Sequence, residues 1–182
     1  MILSHHWFWE FTLQPTSPMA LFITWTTYGS FLPGDHRGWR HRTQGEKQPQ
    51  PKLLRWHQEH LAHAVLLLDR SMIEVVASAV TEICEYRRWH LFACSVRSNH
   101  VHVVLAAPDW KPPKVRDQLK SKATMELRAS NPAFRDRPVW TRKGDIAYLD
   151  SDVEIERCVT YVLEAQDRKI RDQMWGVWSA MV

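Results

Sequence analysis

The chain has 182 residues, 45% hydrophobic and 24% charged, a balance that suits one domain with one sizeable core and excludes a disordered or collagen-like chain. A membrane-spanning chain is also excluded, because no apolar stretch approaches the roughly 18 residues a spanning helix needs and the longest run stops at Asp69 and Arg70. A net charge of +4, a pI near 9.1 and ten tryptophans admit a polyanionic partner with unpaired bases to stack, without requiring one.

Residues 1–18 lack the basic start and continuous apolar stretch of a signal peptide, since His5, His6 and Glu10 interrupt their aromatics. They read as an extension, either disordered or the product of a start assigned upstream of Met19, ahead of a single domain at 19–182. Residues 21–27 (LFITWTT) are β-branched and aromatic and predict a first strand. Residues 29–52 hold Pro33, Gly34, Gly38, Gly45, Pro49 and Pro51, so no regular element is expected there. The middle of that loop, 35–42, is basic. Arg37, Arg40 and Arg42 surround Trp39 there, a set able to hold phosphates and stack a base, with a solvated loop as the competing reading.

Apolar residues at steps of three and four predict a helix over 53–68, and Ser71 with Glu74 has capping-box spacing for a second. His57, His60 and His63 recur along the first, better read as a solvated or boundary face than as ligands. Two β-prone runs, 89–96 and 100–106, joined by Arg97, Ser98 and Asn99, predict an antiparallel hairpin. A helix is expected at 115–128, with Arg116, Lys120 and Lys122 on its exposed face, where the lysines would touch DNA phosphates if the helix lay beside a site. Residues 139–149 read as an extended segment broken at Lys143 and Gly144, and Arg142 and Lys143 have the same standing as the lysines. Ser151 and Glu154 cap a last helix running to roughly residue 173, with Ile155, Cys158, Val159, Val162 and Leu163 as its apolar stripe. Cys84, Cys94 and Cys158 form no metal-type pair and read as reduced core residues of a cytoplasmic protein.

His100 and His102 flank Val101, and strand alternation points both imidazoles to one face, where they are placed to share a metal ion. Chance supplies about half an occurrence of His-x-His in a chain with this many histidines, so a packed pair is the competing reading. Tyr161 lies one residue step, about 100°, from the stripe of the last helix, at the edge of its contact with the sheet. Gln166 falls on the stripe, where an amide is costly unless it bonds or ligates something.

With these residues the chain resembles the single-tyrosine HUH transposases, named for histidine, bulky hydrophobe, histidine, and among them the REP-associated tyrosine transposases. The resemblance runs from residue 19 to about 167 through FITWTTYGSFLPGDHRGW, RDQLKSKAT, WTRKGDIAYL and YVLEAQ. It implies an α+β fold, a ferredoxin-like antiparallel sheet flanked by helices, and a single-stranded DNA endonuclease and strand transferase. In such enzymes a divalent ion, Mg²⁺ or Mn²⁺, held by both histidines and a third polar ligand, polarises the scissile phosphate, and the tyrosine attacks to leave a 5′-phosphotyrosyl intermediate. By match, Tyr161 is the nucleophile and His100 and His102 are ligands.

One position departs from that pattern. The family puts the third ligand four residues after the tyrosine, where this chain has Ala165; Gln166 is one further on. An ideal helix splays it about 140° from Tyr161, and a single π-type turn would bring the two together. Gln166 is preferred to Glu164, which the wheel aims at solvent. The expected partner is single-stranded or hairpin DNA, with no membrane; no heptad or other signal chooses between monomer and homodimer. The alternative is a domesticated nucleic-acid-binding protein of the same fold without strand transfer, and a hydrolase of small phosphate esters is disfavoured by the basic balance.

Overall fold

A computed structural model describes residues 18–41 and 44–164, apart from the side chains of Arg40 and His41. Residues 1–17, 42–43 (which include Arg42) and 165–182 (which include Gln166) lie outside the described set. In chain order the elements are β1 (Ala20–Thr26), β2 (Trp39–His41), β3 (Gly45–Lys47), α1 (Pro51–Glu59), α2 (Arg70–Arg87), β4 (His90–Val96), β5 (His100–Ala106), α3 (Pro112–Ser130), a 3₁₀ turn (Pro132–Phe134), β6 (Asp145–Leu149) and α4 (Asp152–Leu163).

Four strands form one antiparallel sheet in the order β4-β5-β1-β6. With β2, β3 and α1 set aside as an insertion, the path is βαββαβ, which is the ferredoxin-like arrangement expected. Alternation along β1 and β5 sends Leu21, Ile23, Trp25, Val101, Val103 and Leu105 into the core under α2 and α3. The other face carries Ala20, Phe22 and Val104, and α4 closes it with Ile155, Cys158 and Val162. The helices therefore flank the sheet on both faces. A bulge between Leu91 and Ala93 turns Phe92 and Ala93 to the α4 side together.

Several local expectations are corrected. The predicted helix at 53–68 stops at Glu59, and the chain then runs extended because tertiary backbone partners win: Leu66 N–H bonds Tyr28 O at 2.9 Å and Leu68 N–H bonds Ser98 O at 2.7 Å. Leu66 and Leu68 are buried while Val65 and Leu67 are exposed, a two-residue period. Asp69, not Ser71, caps α2 by accepting from Met72 N–H, and the Ser71 hydroxyl donates to Asp69. The loop at 29–52 does contain a regular element, the short β2–β3 ribbon. Ser151 caps α4 as expected, accepting from Glu154 N–H, while the Glu154 carboxylate reaches back to Asp150 N–H at 2.8 Å. The extension of α4 past Glu164 falls outside the described residues.

Candidate nucleic-acid and metal site

The two histidines of β5 stand together on the α4 side of the sheet, ring centroids 4.7 Å apart. Their backbone register is set across β1, where Thr26 faces His100 and Thr24 faces His102. Asn99 Oδ1, which can only accept, lies 2.7 Å from His100 Nδ1. The proton of a neutral His100 is then on Nδ1 and the lone pair on Nε2. Thr24 Oγ1 lies 2.8 Å from His102 Nδ1 and can accept from it in the same way. Both rings are thereby oriented to present Nε2, the arrangement in which a second partner fixes the tautomer of a metal-binding imidazole.

Burial pushes the His102 pKa down to about 3, with His100 and Arg97 adding positive charge nearby. Being 8% exposed, this imidazole is a neutral donor at any physiological pH. His102 can therefore offer a lone pair from a neutral ring, and the donor chemistry of the two imidazoles would fit a divalent ion. Among the described residues no three His, Cys, Asp or Glu side chains come together to hold a metal; Gln166 lies outside that set, and Glu164 is an exposed residue at the end of α4.

Tyr161 is where the helical wheel puts it, half-buried at the edge of the α4 contact. Its ring centroid is 5.7 Å from that of His102 and 6.1 Å from that of Phe22, which approaches edge-on. Phe22 in turn lies 5.4 Å from His102. A hydroxyl-bearing ring from α4 and two imidazoles from β5 thus share one end of one face, beside Thr24 and Phe22 of β1.

Basic residues are distributed less simply. Arg142 and Lys143 are exposed on a turn fastened to β1: Thr141 N–H bonds Thr26 O at 3.0 Å, and the Thr141 and Thr26 hydroxyls are 2.9 Å apart. Lys143 has φ 66° and Gly144 φ 143°; a Cβ on Gly144 would stand 2.5 Å from Thr24 O. The turn therefore presses against the strand that orients His102. Lys120 is a correction to the expected exposed cation. Its ammonium is half-buried and donates to the carbonyls of Thr141 and Lys143, holding this turn from the side, and burial pushes its pKa down to about 8. Lys122 lies between Glu82 at 2.8 Å and Glu126 at 2.6 Å, fastening α3 to α2 on the opposite face of the sheet from the histidines.

The 35–42 loop is organised around a carboxylate. Asp35, 6% exposed, takes the Arg37 fork at 2.7 and 2.9 Å, and the Arg37 hydrogen bond holds the Asp35 carboxyl below its usual range. Arg37 also donates to Ser30 O, and the Ser30 hydroxyl donates to Asn99 O at 3.1 Å. Arg37 is thus anchored within the loop, and the loop is anchored to the turn before His100. Trp39 is half-buried in the β2–β3 ribbon; the Arg40 side chain and Arg42 lie outside the described residues.

Sequence reasoning missed Asn99, Thr24 and Arg97 as parts of this site. Asn99 was adjacent to the histidine motif and visible as an amide in a tight turn. Thr24 becomes legible only once the β1–β5 register is known.

The family model described as "Transposase IS200 like" matches residues 63–165, a span that includes both histidines and Tyr161. No curated protein matches. Among solved structures, a candidate transposase from Deinococcus radiodurans R1 aligns over 89% of this chain and 95% of its own, with a TM-score of 0.47 and 13% identity. A REP-associated tyrosine transposase bound to a REP hairpin aligns over 89% of this chain and 70% of its own, with a TM-score of 0.44 and 12% identity.

Proposed function

Since the chain belongs to the IS200-like transposase family, a family of single-tyrosine HUH transposases, we propose that it cleaves and rejoins single-stranded DNA at hairpin-forming sites, using Tyr161 as the nucleophile. The observation that carries this reading is the pair of Nδ1-anchored imidazoles beside a tyrosine ring, His102 and Tyr161 centroids being 5.7 Å apart. His100 and His102 would hold a Mg²⁺ or Mn²⁺ ion through Nε2, with Gln166 preferred over Glu164 as the third ligand; two imidazoles favour Mn²⁺ on softness grounds. The bound ion supplies Lewis acidity to the scissile phosphate.

The remaining work falls to the chain. Tyr161 Oη attacks phosphorus as its proton passes to solvent. The bond to the 3′-oxygen breaks, and that oxygen leaves as a hydroxyl after taking up a proton. The 5′-phosphate stays on Tyr161, and attack by another strand's 3′-hydroxyl reverses the steps, conserving the bond energy in the phosphotyrosine. Arg97 on the β4–β5 turn and Arg142 and Lys143 on the turn beside β1 serve as phosphate contacts that set the strand's path. Lys120 and Lys122 already have partners within the fold, the carbonyls of Thr141 and Lys143 and the carboxylates of Glu82 and Glu126, which supports a structural role for them.

The test is a labelled hairpin oligonucleotide with single-stranded flanks, incubated with the protein and Mn²⁺ or Mg²⁺. A denaturant-resistant protein–DNA adduct is expected that chelation prevents and Tyr161→Phe abolishes. An adduct that survives Tyr161→Phe would overturn the nucleophile assignment. Tight binding of cognate DNA with no adduct would favour the binding-only reading, which the displacement of Gln166 by one residue would permit.

A further inference from the structure

The insertion between β1 and α2 places an aromatic stack in solvent. Helix α1 buries none of its nine residues, although its first turn packs so closely on the preceding loop that a Cβ on Gly34 would lie 2.6 Å from Gln50 O and from Leu54 N. Trp56 is 53% exposed, yet its ring is held. The His60 imidazole stacks on it at 4.3 Å and 21°, and His57 meets it edge-on at 5.0 Å. His60 is fixed in turn by a 2.7 Å hydrogen bond between its Nδ1 and Trp56 O. Lys52 and Arg55 on the same helix are exposed, with Glu59 as the only acid. A large apolar ring fixed by its neighbours but left in water, beside cations, suits a partner that has flat π-faces and negative charge.

The placement of the helix connects it to the catalytic end. The segment after α1 returns to the β4–β5 turn, where Leu68 N–H bonds Ser98 O. Thr27 bridges the same place, its hydroxyl donating to Leu66 O at 2.6 Å and its N–H to Asn99 O at 2.9 Å. Asn99 is the residue that orients His100. The insertion's anchor and the histidine pair therefore share one turn. Helix α1 also precedes residue 63, where the matched family region begins.

We propose that α1 is a docking arm for the single strand, with the Trp56–His60 stack taking an unpaired base and Lys52 and Arg55 taking adjoining phosphates. The stack is preformed, so little side-chain ordering opposes binding, and base stacking on an aromatic is tolerant of sequence. This rests on the reading of the protein as one that acts on single-stranded DNA, but not on its cleavage chemistry. It moves the stacking role expected of Trp39 to a residue that the sequence pattern placed in an ordinary amphipathic helix.

The experiment measures binding of the full chain, in chelator, to a fluorescent mixed-sequence single strand and to the blunt duplex of the same sequence. A second set of strands carries 2-aminopurine, whose emission falls on stacking. Trp56→Gln should weaken single-strand binding roughly 5- to 150-fold, the range of one lost base stack, and abolish the quenching. Trp56→Phe should keep most of both, and duplex binding should change less than twofold in either variant. Equal single-strand affinity for the wild type and Trp56→Gln would overturn the proposal, as would equal losses on duplex and single strand. So would a loss of self-association in Trp56→Gln by sedimentation with DNA binding unchanged, which would assign the surface to a second copy. Because chelator suppresses cleavage, failure of the adduct assay leaves this result standing, and failure here leaves the Tyr161 chemistry untouched.

Discussion

The two faces of the sheet use the same strands differently. Under α2 and α3, positions 21, 23, 25, 101, 103 and 105 are all apolar and fully or almost fully buried. Under α4 the alternate positions change along the strand: Ala20, Phe22 and Val104 are apolar at one end, and Thr24, Thr26, His100 and His102 are polar at the other. The core that defines the fold is complete on one side. The second side then needs only half its length for packing α4, and the rest is available for groups whose burial would otherwise be unfavourable. Each of those polar groups has a named partner, which is the condition under which a partly buried polar cluster is tolerated.

The strongest way to break this comparison is to delete bulk from the apolar face. Leu105 is fully buried, and Leu105→Ala is expected to lower unfolding free energy by about 2–5 kcal/mol, from lost transfer and the cavity left behind. His100→Ala, at a partly exposed position on the polar end, is expected to stay within about 1 kcal/mol of wild type while abolishing Mn²⁺ binding. Urea unfolding with calorimetric metal titration reads both quantities. Equal destabilisation by the two substitutions would mean that the histidine end is part of the structural core.

A second effect comes from pH and belongs to the polar face alone. The folded His102 pKa, about 3, lies below the ordinary 6.5 because the ring is buried. Between those values the unfolded chain binds a proton that the folded chain refuses. The neutral imidazole's contribution is therefore complete above pH 6.5 and is lost on acidification, by at most about 1.4 kcal/mol per pH unit. In metal-free buffer, the wild type should lose more stability than His102→Gln between pH 6.5 and 4, as followed by urea unfolding at each pH. Parallel profiles for the two proteins would show that His102 is not held neutral by the fold.

Most of the frame was legible in the sequence because it rests on short-range pattern. Strand alternation in NHVHVVL, Ser151 before the last helix and the break at Lys143–Gly144 all have local causes, and the structure has them where expected. The misreadings have long-range causes. Residues 60–68 have helical spacing, but backbone bonds to Tyr28 and Ser98 pull them straight. Lys120 and Lys122 look like solvent-facing cations until the carbonyls of a distant turn and the carboxylate of a neighbouring helix are known. The site divides in the same way: its histidines and tyrosine come from motif spacing, whereas Thr24 comes from register.

Thr24 therefore gives the smallest and most specific prediction. Valine has nearly the shape of threonine, so Thr24→Val keeps the packing beside Phe22 and His102 and removes only the hydroxyl 2.8 Å from Nδ1. A buried ring N–H left without its acceptor costs about 1–3 kcal/mol, and His102 can escape part of that by moving its proton to Nε2. That tautomer has no lone pair to give a metal at Nε2. Mn²⁺ affinity is thus expected to fall about 10- to 100-fold, as for other lost partners of metal-binding histidines, with unfolding free energy lowered by about 1 kcal/mol. Thr24→Ser should restore both, and ¹⁵N chemical shifts of His102 should report Nδ1–H in the wild type and serine variant and an increased Nε2–H population in the valine variant. If Thr24→Val bound Mn²⁺ as tightly as wild type with the tautomer unchanged, the hydroxyl would be a bystander, and the polar end of the sheet would orient its imidazoles through packing alone.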